Sequence, residues 1–199
     1  PFSSKEVSEL LRVSVSDLQS RHREGSFPDV LTDTRGNRFY TAEEIDALRG
    51  ILASTRQDTG NYLPGRRTGD GLQIISVVNF KGGSSKTTAT IHLAQRYALR
   101  GYRVLVIDLD PQASLTTFFG FRPEFEFAEG GTIYDAIKYV DLLPLSEVIH
   151  KSYFHKLDMV PAGLMLSEYE TETANALAQR LQPIFAERLA LALEGVDSN

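Results

Sequence analysis

The sequence predicts an α/β fold: a parallel sheet around a phosphate-binding loop, with helices on both faces, preceded by a small winged helix-turn-helix domain. Three observations predict it. An apolar β-branched run, Leu72-Gln73-Ile74-Ile75-Ser76-Val77-Val78, leads into Asn79-Phe80-Lys81-Gly82-Gly83-Ser84-Ser85-Lys86-Thr87-Thr88, and a helical pattern follows. A second buried run, Arg103 to Ile107, ends in Asp108-Leu109-Asp110-Pro111-Gln112. The first 52 residues hold short capped helices and a hairpin signal. The boundaries expected from these patterns are 1–52 for the amino-terminal domain, 53–71 for a polar linker and 72–199 for part of the loop-bearing domain.

In chain order, Ser3-x-x-Glu6 is a capping box ahead of Val7, Leu10 and Leu11 on one helical face. Ser14 caps a second short helix carrying Val15 and Leu18 and ending in Arg21-His22-Arg23, and two short helices meeting at Arg12-Val13 suggest helix-turn-helix. Leu31 to Asp33 and Arg38 to Tyr40 flank Thr34-Arg35-Gly36-Asn37, a hairpin signal suited to a wing. Thr41-x-x-Glu44 opens a helix with Ile45, Leu48 and Leu52. In a DNA-binding reading the second helix enters the major groove. Arg21 and Arg23 then contact phosphate or guanine, and Arg35 and Arg38 hold the backbone from the wing. The competing reading is a helical dimerisation module whose arginines are solvated. The glycine-rich polar stretch 53–71 reads as a linker, and Arg66 and Arg67 in it as solvated.

Strand, glycine-rich turn and Lys-Thr at a helix start are the context of a nucleoside triphosphate site. Glycines let backbone N–H groups point at phosphate oxygens, and the helix N-terminus adds its positive end. Gly82, Gly83, Ser84, Ser85, Lys86, Thr87 and Thr88 form the expected cradle; Lys86 reaches the β- and γ-phosphates, and the Thr87 hydroxyl ligates Mg²⁺. Gly101 ends the following helix. The Val/Leu/Ile run before Asp108 suits a parallel strand covered on both faces, and ligands in such sheets lie beyond the strands' carboxyl ends, where Asp108 and Asp110 stand. Two close carboxylates favour a shared cation.

The loop departs from G-x-x-x-x-G-K-[ST]: Phe80 and Ser85 stand at its glycine positions, and Lys81 precedes Lys86 by five. It resembles the deviant Walker A loop of the MinD/ParA-like ATPases, K-G-G-x-G-K-T-T, and Asp108-Leu109-Asp110-Pro111-Gln112 resembles the D-x-D-P-Q motif of the ParA-type members. Pro111-Gln112 separates it from MinD, and the absence of cysteine from the nitrogenase iron protein. Helix-turn-helix, wing and T-x-E-E-I-x-x-L-R are similar to MerR-like winged domains. That module also precedes the ATPase in the larger ParA-type proteins, the RepA proteins of repABC plasmids among them.

The resemblance implies a cytoplasmic, nucleoid- or plasmid-associated partition ATPase. ATP would drive its homodimerisation, the dimer would bind DNA, and a ParB-type centromere-binding protein would stimulate slow hydrolysis. The amino-terminal module would read the operator of its own operon. Lys81 would cross the dimer interface to the partner's phosphates, Asp110 would orient the attacking water, and Asp108 would support Mg²⁺ through its hydration shell. Ser85 adds a Cβ expected to narrow the loop and to weaken affinity or slow turnover. The alternatives are a DNA-binding repressor whose nucleotide site is regulatory or idle, and a metabolic or metal-delivery ATPase of the same superfamily.

Beyond Gln112 the pattern predicts a short helix over Ala113 to Gly120, an aromatic and acidic stretch over Phe121 to Gly131 (a loop over the site, or core packing), a helix capped by Thr132-x-x-Asp135, and a strand over Leu157 to Gly163 whose Pro161 would approach the adenine. Thr173 to Leu193 has helical spacing, with Leu177, Leu181, Ile184, Phe185, Leu189 and Leu193 expected in the core. His92, His150 and His155 show no ligand spacing. No second apolar strand ending in an acid precedes Gly195–Asn199, and the chain starts at Pro1. It therefore reads as a fragment, short of a central strand on which hydrolysis depends.

Composition narrows the classes. No apolar run approaches the ~20 residues of a membrane span, and no stretch reads as a signal peptide. Zero cysteines exclude a disulfide scaffold and any thiolate metal site. A net charge of −5 excludes a uniformly basic nucleic-acid binder, so DNA contact must come from local basic patches or a surface formed on dimerisation.

Overall fold

The first three helices of this chain begin where a side chain, Ser3, Ser14 or Thr41, accepts an amide that a first turn leaves free. The computed structural model describes residues 1–64, 71–81, 83–181, 183 and 185–194. Two units are distinguished: Pro1–Asp70 with Leu93–Val104 and Phe154–Lys156, and Gly71–His92 with Leu105–Tyr153 and Leu157–Asn199.

In the first unit, β1 (Phe2–Ser3) leads into α1 (Ser4–Leu11), where the Ser3 hydroxyl accepts the Glu6 amide at 3.4 Å and the Glu6 carboxylate accepts the Ser3 amide at 2.8 Å. Arg12, at φ 55°, ends α1 in the left-handed region, and the Ser14 hydroxyl accepts the Asp17 amide at 3.0 Å to start α2 (Val15–Arg23). This is the expected helix-turn-helix. β2 (Leu31–Thr32) and β3 (Arg38–Tyr40) form the wing, in a three-stranded antiparallel sheet of order β1-β3-β2 that pairs Phe2 with Tyr40 and Leu31 with Phe39. Its turn is tied by Asp33, whose carboxylate accepts the Arg35 amide at 2.9 Å and the Asn37 amide at 2.8 Å, with Gly36 at φ 82°. α3 (Ala42–Arg56) starts on the Thr41–Glu44 capping box, and α4 (Thr59–Tyr62) follows. Val7, Leu18, Leu48 and Leu52 are fully buried and Leu11, Tyr40 and Ile45 nearly so. Burying each such aliphatic side chain stabilises by about 2 kcal/mol.

Arg49, on α3, is 2% exposed. It donates to the Leu10 carbonyl near the end of α1 (2.8 Å) and, through two nitrogens, to the Leu99 carbonyl that ends α5 (Lys86–Leu99), at 2.8 and 3.1 Å. One buried cation thus satisfies terminal carbonyls of two helices at their negative ends. Burial pushes the Arg49 guanidinium down to about 10. Gly101 ends α5 at φ 97°, and a Cβ there would meet Arg49 Cδ at 3.1 Å and the Tyr62 carbonyl at 3.2 Å, so both conformation and space demand glycine. Asp46, also on α3, accepts from His155 at 3.1 Å and from the Lys156 ammonium.

The second unit carries β4 (Val104–Ile107, whose first residue belongs to the first unit), β5 (His150–Lys151) and β6 (Leu157–Val160) in a sheet of order β4-β6-β5. The bonds from Val104 N to Lys156 O and from Asp108 N to Val160 O advance in the same sense on both chains, so β4 and β6 are parallel. β5 runs antiparallel to β6, pairing His150 with Met159. The sheet is therefore mixed and small, not the all-parallel sheet expected. The run 72–78 forms no strand: Ile74 is 67% and Val78 75% exposed. An apolar run becomes a buried parallel strand only with ladder partners on its edges and cover on its faces, and no strand among the described residues pairs with it.

Three short helices, α6 (Ser114–Phe118), α7 (Pro123–Glu126) and α8 (Ile133–Ile137), follow β4. Phe127 is buried against His150, with ring centroids 4.8 Å apart, whereas Phe125 is 78% exposed, so the stretch packs inward at Phe127 and is otherwise a surface segment that also lines a cavity beside Pro111 and Gln112. The Pro161 carbonyl accepts the Ile133 amide at 2.8 Å at the start of α8, and Pro161 itself is buried. The expected last helix is divided into α9 (Glu168–Ala178) and α10 (Phe185–Glu194), with Arg180 left-handed and Pro183 unable to continue a helix. Leu189 and Leu193 pack on the core, while Leu177 (56%) and Leu181 (46%) are exposed, contrary to their helical spacing, because the break ends the shared face. Ile184 and the side chain of Phe185 lie outside the described residues. Among the described residues no helix is long and apolar enough to cross a membrane.

Replacing Arg49 with Ala leaves the Leu10 and Leu99 carbonyls buried without donors and should lower stability by about 3 kcal/mol, read as a reduced urea midpoint. Asp46 supplies a pH signature. Burial alone would raise its carboxyl, but the bonds from Lys156 and His155 outweigh burial and hold it below its ordinary value of 3.8. A carboxyl depressed on folding contributes stability that is present above its unfolded pKa and lost as pH falls through the folded one. Asp46→Asn should therefore cost about 1 kcal/mol at pH 7, with the difference from the unsubstituted chain vanishing on acidification below pH 3.8 in urea titrations.

Candidate functional site

Residues 79–88 bridge the extended run and the start of α5. The Asn79 side-chain oxygen accepts the Lys81 amide at 2.8 Å, and the Ser85 carbonyl accepts the Ala89 amide at 2.8 Å, the first bond of the helix. Gly83 (φ 71°) and Ser85 (φ 60°) are both left-handed. Between them the Ser84 hydroxyl is buried without a protein partner, a free donor of the kind that fits an oxyanion. Lys81 and Thr88 are exposed, Lys86 and Thr87 half-buried at the helix start, and Phe80 fully exposed. Gly82 lies outside the described residues. No hydrogen bond or ion pair among the described residues joins this loop to Asp108 or Asp110.

Asp108 stands at the carboxyl end of β4 and is 4% exposed. Its Oδ1 accepts the Asp110 amide at 3.1 Å, and its Oδ2 accepts both the amide (3.0 Å) and the hydroxyl (2.8 Å) of Thr116. Thr116 is the third residue of α6, whose own N-cap position holds Ala113, at φ 51° and without a side-chain acceptor. Asp108 thus caps α6 from outside the helix. The Thr116 hydroxyl in turn accepts the Ala162 amide at 3.0 Å, just past β6. Asp110 is exposed; its carboxylate accepts the Gln112 amide at 3.0 Å and its carbonyl the Ala113 amide at 2.8 Å, closing the turn. The two carboxylates are therefore held in one turn but differ in access. Thr116 was not among the residues singled out in the sequence. Its signal is a threonine at the third helical position after a cap residue that cannot cap.

A cavity of about 470 Å³ opens beside this turn, with Gln112, Thr132, Asp135 and Lys138 in its wall. Asp135 accepts the Thr132 amide at 3.0 Å and the Lys138 ammonium at 2.9 Å. Burial would raise its carboxyl, but these bonds hold it below the usual range.

In the winged domain, Arg21 donates to Asp17 at 3.0 Å, Asp17 also receives Arg56 at 2.6 Å, and the Arg21 guanidinium lies over the Phe27 ring at 5.6 Å. Arg21 is therefore occupied within the domain. Arg23, in the last turn of α2, and Arg35, in the wing turn, are exposed, and Arg38 on β3 is half-buried. His22 is buried with its Nε2 3.1 Å from the Tyr40 hydroxyl; burial, and then the Arg38 charge, push its imidazole below the usual value.

Residues 72–198 match the AAA domain family, and residues 2–59 match the MerR HTH family of regulatory proteins. The chain is 45% identical over 201 aligned positions to the "Putative replication protein A" of Sinorhizobium fredii, covering 98% of this chain and 49% of that protein. It is 34% identical to the chromosome partitioning protein ParA of Myxococcus xanthus, over 70% of this chain and 47% of that one. A solved structure described as a partition protein shares the fold, with a TM-score of 0.55, 18% identity, and coverage of 89% of this chain and 49% of the other. The chain spans about half the length of the curated relatives it matches. It belongs to the ParA/SopA-type partition ATPases that carry an amino-terminal MerR-type helix-turn-helix domain.

Proposed function

We propose that this chain belongs to a partition ATPase that binds ATP with Mg²⁺, dimerises in that state, binds DNA without sequence preference and represses its own operon through the winged domain. The observation that carries the nucleotide part is the loop itself: left-handed Gly83 and Ser85 around a buried, unpartnered Ser84 hydroxyl, immediately before the positive end of α5. Residues 83–88, with Gly82, would hold the phosphates, Lys86 as the cation toward the β- and γ-oxygens and Thr87 as the hydroxyl ligand of the metal. The metal, when bound, supplies charge neutralisation at those oxygens. Asp108, whose Oδ1 carries a single donor, would support the metal through its hydration shell by accepting a hydrogen bond there. Asp110, exposed and fixed by its own turn, would orient the attacking water, and Lys81, exposed, is free to reach a second subunit. ATP then acts as a switch, because only its γ-phosphate makes contacts that favour the dimer. Release by a ParB-type centromere-binding partner completes the cycle.

A second reading, a repressor with a regulatory or idle nucleotide site, is favoured by one observation: Asp108 is already occupied by the protein's own donors.

For DNA, Arg23 and Arg35 are the exposed cations at the end of the second helix and on the wing. They would contact phosphate, while Arg38 supports the wing and Arg21 would have to leave Asp17 to do so.

Lys86→Ala should abolish ATP binding, whereas Asp110→Ala should bind ATP normally and lose turnover, measured by equilibrium binding and phosphate release. Normal hydrolysis by Asp110→Ala refutes its role. Arg23→Ala with Arg35→Ala should weaken duplex binding and reduce the slope of log K against log salt by about 2, since two phosphates are no longer neutralised. An unchanged slope in fluorescence anisotropy refutes the interface.

A further inference from the structure

We propose that the C-terminal end of α5 carries a second phosphate-contacting surface for duplex DNA, formed by the exposed Arg96 and Arg100 beside Arg12 of the helix-turn-helix. The proposal rests on the DNA-binding reading above and adds to it the residues that make the first unit attractive to a polyanion.

Charge is divided unequally between the two units. Residues 1–70 hold ten Lys/Arg and eleven Asp/Glu, so the winged segment by itself carries −1. Leu93–Val104 and Phe154–Lys156 bring four cations, Arg96, Arg100, Arg103 and Lys156, and no acid, which takes the first unit to +3. The second unit holds seven Lys/Arg and fifteen Asp/Glu, −8, and the two units together give the −5 of the whole chain. The net charge of the chain thus conceals a positive unit whose sign comes from outside the winged segment. Each phosphate neutralised by a cation releases a counterion from DNA, so local charge decides the attraction and net charge does not.

Lys156 is occupied by Asp46, which leaves the arginines. Arg12, Arg96 and Arg100 are exposed, and among the described residues none of them enters an ion pair. The Arg100 amide donates to the Arg96 carbonyl at 3.1 Å, so the two side chains stand one turn apart on one helical face. Arg49 sets that face beside the helix-turn-helix. One nitrogen of its guanidinium donates to both the Leu10 and the Leu99 carbonyl, at 2.8 Å each, so the ends of α1 and α5 meet there. Arg12 follows Leu10 by two residues and Arg100 follows Leu99 directly. Beyond burial, and against Asp46, the charges of Arg100 and Arg12 both act on the Arg49 guanidinium. All three exposed cations are arginines, whose planar fork matches phosphate oxygens two at a time. Cations at helix C-terminal ends also suit the helix dipoles, so the test reads a quantity that helix stability does not move.

The test measures binding of the 199-residue chain to a labelled random-sequence duplex across a salt series, by fluorescence anisotropy. Arg96→Gln with Arg100→Gln should reduce the slope of log K against log salt by about 2, at about 0.9 per phosphate, and should keep the urea midpoint. Arg96→Lys with Arg100→Lys retains both charges and should retain the slope. Arg122→Gln with Lys151→Gln removes two exposed cations from the second unit, changes the net charge identically, and should leave the slope as it was. An unchanged slope in the Arg96/Arg100 glutamine variant, or an equal loss in the Arg122/Lys151 variant, overturns this surface and leaves the Arg23 and Arg35 interface standing. Failure of the unsubstituted chain to bind duplex overturns the DNA-binding reading and this proposal with it. Loss of binding to acidic phospholipid vesicles, with duplex binding intact, assigns the surface to a membrane and overturns the proposal as well.

Discussion

A carboxylate only 4% exposed at the end of β4 is the constraint around which the second unit is arranged. Burying an ionised group is tolerated only when donors replace its hydration, and Asp108 obtains three from the chain within eight residues of itself. Each donor brings a piece of structure with it. The Asp110 amide fixes the turn, and the Thr116 amide and hydroxyl fix the first turn of α6. Ala162, bonded to the same hydroxyl, fixes the segment after β6. Removing the charge would relieve a desolvation cost but also undo three local geometries, so the acid is as much a structural element as a chemical one.

The first unit applies the same rule with the opposite sign. Arg49 enters the core as a cation and is matched by carbonyls, at the ends of two helices where the backbone has surplus acceptors. Because one guanidinium presents several donors in a fixed fork, it can satisfy two chain segments that a lysine could not hold together. The helix that begins at Lys86 thus ends on a group supplied by the winged domain's own α3. Residues 93–104 accordingly belong with the amino-terminal unit and not with the loop from which the helix starts.

Local signals were legible. The Ser3–Glu6, Thr41–Glu44 and Thr132–Asp135 boxes stand at the helix starts the sequence indicates, and the wing turn over Asp33 to Asn37 closes as its Gly-Asn pair suggests. Non-local facts were not. Whether Leu72 to Val78 becomes a strand depends on partners far away in the chain, and alternation of residues cannot supply them. The antiparallel β5 is two residues long, too short for any pattern. Leu177 and Leu181 follow helical spacing, yet the break after Ala178 decides that they face water. At the site, the cradle and the two acids are readable because motif and flanks agree. The occupation of Arg21 by Asp17 and Phe27 is half legible, since an Asp four residues before an Arg on one helix is a known pairing. The bond from Thr116 to Asp108 crosses a turn whose shape only the fold defines.

Ser85 shows how a motif position can change its residue and keep its geometry. The sequence suggests that an added Cβ would crowd the loop. Ser85 is instead exposed, and the burden falls on its backbone, which stays left-handed at φ 60° where a glycine would adopt the same shape freely. For a residue with a Cβ that conformation costs about 1 kcal/mol. Something must hold it there, and the bonds on either side do: the Ala89 amide fastens the Ser85 carbonyl into the first turn of α5, and the Asn79 side chain fastens the Lys81 amide on the other flank. A fourteen-residue helix is a far stiffer body than a turn, so its first bond can impose a strained torsion on the residue that precedes it. The shape of the cradle is therefore set by the helix behind it, and glycine at that position would lower its cost without redrawing it.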